Sequence, residues 1–154
     1  MPFDFAEGFE LNPGQERVWS ELFQSPKRFC LVYGGSRSGK TFLTVMTLII
    51  RALKAPKSKH LIVRQEASAA RAALARGNTS TIRTVVALCF PGLEIVWNEK
   101  YGYYEFANGS ELWIGGLNDD KAMERILGNE YASIYINEAS EVKHSAFTLL
   151  RSRL

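Results

Sequence analysis

Residues 34 to 41, GGSRSGKT, bring together the residue types that hold a nucleoside triphosphate. A polyphosphate carries several negative charges, and a loop that wraps it must turn backbone N–H groups inward, through conformations that glycine reaches without steric cost. Gly34, Gly35 and Gly39 supply that freedom, with Ser36, Arg37 and Ser38 completing the loop. Lys40 then brings a point charge to the β and γ phosphates and Thr41 a hydroxyl for Mg2+, while a helix starting there adds the positive end of its dipole. The pattern G-x-x-x-x-G-K-[ST] is complete, so the segment reads as a Walker A cradle for ATP and Mg2+. Arg37 is an extra cation inside the loop. It is either a stabiliser of charge on the γ-phosphate or a solvent-facing loop residue.

Hydrolysis also needs a carboxylate that holds Mg2+ through its water shell and a second that orients or deprotonates the attacking water. The segment SIYINEAS, residues 133 to 140, is where these belong. Its apolar strand delivers Asn137 and Glu138 to the C-terminal edge of a sheet, where ligands of open α/β folds bind. Glu138 is thus the candidate catalytic base, with Lys40 and Arg37 as catalytic cations. Asn137 stands where an aspartate is usual, and its amide oxygen still accepts from a metal-bound water, so Thr41 and Asn137 are the expected Mg2+ positions, at weakened affinity. The plainer alternative is a capping Asn and a surface Glu after a buried strand. Gln15 lies 19 residues before Gly34, and its amide offers the donor and acceptor that the adenine edge requires. Trp19, one turn later, either stacks on the base or packs in the core.

The elements that must position these residues follow from hydrophobic period and breakers. A short helix is predicted over Gly14 to Phe23, ended by Pro26, and RFCLVY, residues 28 to 33, reads as a buried strand leading into the cradle. From Lys40 the run FLTVMTLIIRALK is apolar nearly all round, which predicts a helix buried against a sheet. HLIVR (60 to 64) is a second strand, residues 66 to 76 an exposed helix, and TIRTVVALCF a further helix after Gly77-Asn78. LEIVW, YYEF and ELWI form a small antiparallel addition with Asn108-Gly109 as a hairpin turn. A capped helix over Asp119 to Leu127, a buried strand YASIYIN (131 to 137) and a helix from about Glu141 to Arg153 complete an α/β order with right-handed crossovers.

The 154 residues, 46% hydrophobic and 23% charged, suit one soluble core. No apolar run of about 18 residues occurs, and the acidic start (Asp4, Glu7, Glu10) lacks the basic region of a secretory signal, so a cytoplasmic location is expected. Cys30 and Cys89 sit in apolar runs and read as buried thiols, and His60 and His144 are isolated, so no metal site built from protein ligands alone is predicted. Net charge is only +3, yet residues 51 to 76 carry seven basic residues against Glu66 alone. That run is either a polyphosphate-attracting surface or a solvated rim.

Taken together, NPGQERVW, GGSRSGKT, LIVRQ, ANGSELWIGGLND and YINEASEV resemble the ATPase domain of the large terminase subunit of tailed bacteriophages, from about Leu11 to the last residue. Members of that family commonly carry an arginine where Arg37 sits and an adenine-contacting glutamine where Gln15 sits. The resemblance implies a P-loop NTPase of the ASCE type, with a mainly parallel sheet flanked by helices. It implies hydrolysis of ATP with Mg2+ to drive double-stranded DNA into a procapsid, by a homo-oligomeric ring docked on the portal protein and fed by a small terminase subunit. The setting would be the host cytoplasm, without a membrane. A neighbouring subunit's arginine would complete the site, Arg83 and Arg125 being candidates.

The sequence departs from this pattern. The Walker B aspartate is Asn137, and neither the coupling motif expected soon after RSRL nor the nuclease domain with its acidic cluster occurs, so no nuclease activity is expected. In this ATPase class the coupling strand inserts between the Walker A and Walker B strands. The expectation is therefore a single, partial domain over residues 1 to 154, with unpaired backbone groups on both neighbours of the missing strand. Two other readings compete: a nucleotide-binding but non-hydrolysing interaction module, favoured by Asn137 and the missing strand, and a helicase-like motor half, which shares Gln15 and the Walker motifs.

Overall fold

The computed structural model describes residues 7–24, 28–35, 37–75 and 80–154. Helix α1 (Pro13–Gln24) starts where Asn12 and Gln15 cap each other. The Gln15 N–H donates to Asn12 Oδ1 at 2.9 Å and the Asn12 N–H to Gln15 Oε1 at 3.0 Å, a reciprocal box that satisfies two donors at a helix start. Pro26, expected to end this helix, and Gly77-Asn78, expected to break a later one, lie outside the described residues. Helix α2 (Lys40–Lys54) follows the glycine loop and buries Leu43 through Ile50 together with Ala52. A helix apolar on every side is stable only when enclosed, and α2 is enclosed by α1, the sheet and α4 (Thr81–Cys89).

The remaining elements are β1 (Lys59–Arg64), α3 (Ala67–Leu74), β2 (Ile95–Asn98), β3 (Tyr103–Phe106), β4 (Glu111–Gly116), α5 (Asp120–Leu127), β5 (Ser133–Ile136), a short 3-10 helix (Ala139–Glu141) and α6 (His144–Arg151). Asp119 caps α5, its Oδ1 accepting from the Lys121 N–H at 3.0 Å. The five strands form one sheet in the order β2-β3-β4-β1-β5. Alternation along the strands feeds two cores. Ile62, Tyr104, Phe106, Leu112 and Ile114 face α2 and α4, while Leu61, Val63 and Trp113 face Ile126, Tyr131 and Leu150. The close approach of α3 to the end of β4 requires glycine, since a Cβ on Gly116 would fall 2.2 Å from the Ala67 nitrogen.

Several sequence expectations are corrected. The sheet is mixed: β1 runs parallel to β4 and β5, whereas β2, β3 and β4 are antiparallel neighbours. ELWI, assigned to the antiparallel addition, is therefore shared, pairing with β3 on one edge and β1 on the other. Residues 28–33 form no strand; Leu31 is 80% and Tyr33 87% exposed, and Cys30, expected to be buried, is exposed too. An apolar run becomes a strand only where a neighbour takes its backbone hydrogen bonds, and among the described residues none lies beside it. For the same reason β5, expected to be buried, is half-buried throughout: β1 is its one described strand neighbour. The helix over 66 to 76, expected to be exposed, buries Ala70 and Leu74.

Cys89 is buried as expected, and burial pushes its thiol up to about 12. No helix of the described residues is long and apolar enough to cross a membrane. At the lower end of the sheet, polar groups tie α2 to the hairpin. Asn108 Nδ2 donates to Ala52 O at 2.8 Å, Ser110 Oγ donates to Ala55 O at 2.8 Å, and Ser58 Oγ meets His60 Nε2 at 2.9 Å. Burial, with a smaller contribution from the Arg51 charge, lowers His60 from 6.5 to about 4. The unfolded chain takes up this proton below 6.5 and the folded one does not until about 4. Stability is therefore whole above 6.5 and is lost as pH falls towards 4. Denaturant melts should show wild type losing roughly 2 to 3 kcal/mol more than His60→Gln between pH 7 and pH 4.5.

Candidate functional site

The glycine loop closes onto the start of α2. Gly39 takes φ 81°, a conformation open to glycine, and supplies no side-chain cap. The first-turn N–H groups of α2 are thus without intrahelical acceptors, which is the arrangement an anion needs. Lys40 Nζ lies within the loop, donating to Gly35 O at 2.7 Å, Gly34 O at 3.0 Å and Ser38 Oγ at 3.2 Å. Arg37 is exposed, in a left-handed conformation with φ 59°. Ser36 lies outside the described residues. A cleft of about 350 Å3 runs along Arg37 to Phe42 and is closed on its far wall by Thr81 and Thr84 of α4.

Strand β5 brings the second half of the site. Asn137, only 8% exposed, donates its N–H to Val63 O at 2.8 Å, extending the pairing with β1 by one residue. Its Oδ1 accepts from Tyr135 Oη at 3.0 Å and lies 3.5 Å from Thr41 Oγ1. The loop and the end of β5, 96 residues apart in sequence, therefore meet. Burial raises Tyr135, opposed by hydrogen bonds with Thr41 and Thr44, so its hydroxyl is a persistent donor. Glu138 follows in a left-handed conformation, φ 56° and ψ 54°, and its carboxylate is paired with Arg64 at the end of β1. Neutral oxygens of Thr41 and Asn137 with a carboxylate alongside are a donor set that suits a hard divalent cation and its waters.

Gln15 reaches the same loop from α1. A Cβ on Gly39 would fall 2.6 Å from Gln15 Nε2, so the amide lies against the glycine, while its Oε1 is engaged in the helix cap. Trp19 packs against Phe23, ring centroids 4.8 Å apart, in the partly buried margin of the core. Arg83 lies 5.7 Å above the Tyr104 ring, and Arg125 sits in the last turn of α5. The basic run of residues 51 to 76 is divided: Lys59 pairs with Glu111 at the start of β1 and Arg64 with Glu138 at its end, and Arg76 lies outside the described residues.

Sequence reasoning missed Tyr135, Arg64, Thr81 and Thr84. Tyr135 was within reach, since residues two apart on a strand share a face. Arg64 and the two threonines had no such signal, because their approach to the site depends on strand order and helix packing.

A family model described as terminase large subunit, T4likevirus-type, N-terminal, matches residues 31–154. No curated protein sequence matches significantly. Among solved structures, the large terminase of a thermophilic bacteriophage is similar in fold, with a TM-score of 0.77 at 14% identity over 94% of this chain. The same terminase in complex with ADP gives a TM-score of 0.75 at 15% identity over 93%. In both cases this chain spans 36% of the length of that protein.

Proposed function

The chain belongs to the N-terminal family of terminase large subunits, and from that premise we propose that it is the ATP-binding and ATP-hydrolysing motor domain of a viral DNA-packaging terminase. The observation that carries this is the meeting of Thr41 with Asn137 at 3.5 Å, which sets a phosphate-binding loop beside a strand end that offers a carboxylate. Gly34, Gly35, Ser36, Arg37, Ser38 and Gly39 wrap the phosphates, Lys40 neutralises them and Gln15 supports the base side. Arg37 gathers charge that develops on the γ-phosphate. Glu138 accepts the proton of the attacking water. Bound Mg2+ would neutralise phosphate charge as a Lewis acid; Thr41 and Asn137 are the residues that would hold it, through water in the second case. The partners of such a motor are double-stranded DNA, the portal protein and the small terminase subunit, in a homo-oligomeric ring on the portal within the host cytoplasm. An arginine from a neighbouring subunit, Arg83 or Arg125, completes the site.

The test is Mg2+-dependent phosphate release from ATP, with and without double-stranded DNA. DNA-stimulated release supports the motor reading. A second reading, a nucleotide-binding module that does not hydrolyse, is favoured by Asn137 and by the exposure of residues 28–33 outside the sheet. Nucleotide binding that depends on Lys40, with no release under either condition, would decide for it.

Asn137 also yields a graded prediction. Tyr135 Oη and Thr41 Oγ1 remain as donors for a carboxylate at this position. Asn137→Asp adds a negative charge beside the cation and should lower the Mg2+ concentration for half-maximal release by about tenfold, worth roughly 1.4 kcal/mol. An unchanged Mg2+ titration would remove this position from the metal site.

A further inference from the structure

Helix α4 carries Thr81 and Thr84 to the phosphate cleft. Their spacing places them on one face of the helix, and that face forms the wall opposite Ser38, Gly39, Lys40 and Thr41. The two hydroxyls differ in what they are free to do. Thr81 Oγ1 donates to Ala73 O at 3.3 Å, whereas the half-buried Thr84 makes no side-chain hydrogen bond among the described residues. A helical threonine usually settles its hydroxyl on the carbonyl four residues back. Thr44 and Thr47 do so at 2.9 Å and Thr148 at 3.1 Å, while Thr84 leaves Ser80 O to its own N–H alone. Its hydroxyl is therefore available to the cleft.

A phosphoryl group on the cradle turns some of its oxygens to the loop N–H groups and to Lys40, and the others face away from the loop. Charge decides which part of a nucleotide the α4 wall suits. The described lining residues include Arg37 and Lys40 and no acid, and the start of α4 adds the positive end of its dipole. We propose that Thr84 is a nucleotide-binding residue whose hydroxyl donates to a phosphate oxygen on the side away from the loop. The assignment rests on the reading of the loop as a nucleotide cradle.

The experiment is calorimetric titration of wild type, Thr84→Val, Thr84→Ser and Lys40→Ala with ADP, 2′-deoxy-ADP and 3′-deoxy-ADP. Valine keeps the shape of the wall and removes the hydroxyl, whereas serine keeps the hydroxyl. Thr84→Val should weaken ADP binding about tenfold, the lower end of what a hydrogen bond to a charged acceptor commands. The same factor, within about twofold, should appear with both deoxynucleotides, and Thr84→Ser should bind within about twofold of wild type. A factor that vanishes with either deoxynucleotide moves the contact to the ribose and overturns the phosphate assignment. Binding by Thr84→Ser as weak as by Thr84→Val overturns it as well, since the hydroxyl is then not the cause. Binding that depends on Lys40 but is undiminished in Thr84→Val overturns this assignment alone. Wild-type binding that is absent, or unchanged in Lys40→Ala, overturns the cradle reading and this assignment with it.

Discussion

Lys40→Ala should weaken nucleotide binding by about one to two orders of magnitude while leaving the fold intact. The Lys40 ammonium is seated within the loop, and its three bonds go to residues 34, 35 and 38. Those oxygens are exposed, and water replaces the ammonium for them at small cost. A phosphate cannot make the same exchange, since it loses a charge-assisted donor worth about 1.5 to 3 kcal/mol or more. Affinity for ADP or ATP should fall about tenfold to several hundredfold. Calorimetric titration beside a thermal melt checks both halves of the expectation. Undiminished binding in a folded variant would remove the cradle from the mechanism, and with it the motor reading.

Glu138→Gln separates binding from chemistry. Glutamine keeps the size of the side chain and an oxygen that still accepts from Arg64, so the loop after β5 should hold its shape. The left-handed backbone at this position, φ 56°, costs either residue about 1 kcal/mol or more and does not distinguish them. What is lost is the group that takes a proton from water. Phosphate release should fall about 10²- to 10⁴-fold, with the dissociation constant for ATP within about twofold of wild type. Single-turnover release and equilibrium binding on the same preparation test this. Release at the wild-type rate would assign the base elsewhere and leave Glu138 as a surface residue after a strand.

The two expected losses arise at opposite ends of the sequence, and their legibility differed. The local shape at the loop could be read directly because it depends on consecutive residues: a left-handed glycine at Gly39 and the helix that begins at Lys40. The same holds for α1, the enclosed helix α2, the Asp119 cap and the Asn108-Gly109 turn, each of which depends on neighbours in the chain. Gln15, read from the sequence as a contact for the adenine edge, lies against Gly39, and its cap bond to Asn12 was not foreseen.

Only the tertiary structure decided the rest. Hydrophobicity states that RFCLVY gains by burial, but the presence of a neighbouring strand determines whether it is buried, and Leu31 and Tyr33 stand exposed beside no described strand. The run ELWI is apolar enough to be enclosed, yet its parallel bond to β1 is fixed by crossover geometry and not by its own residues. Within the site, sequence chose Asn137 and Glu138, while the sheet brought Tyr135 Oη onto the one and Arg64 onto the other. Local conformation is written in residue type and spacing because its energy terms act within a few residues. The partners of a side chain are set by which strands lie adjacent, and that is settled by the whole chain at once.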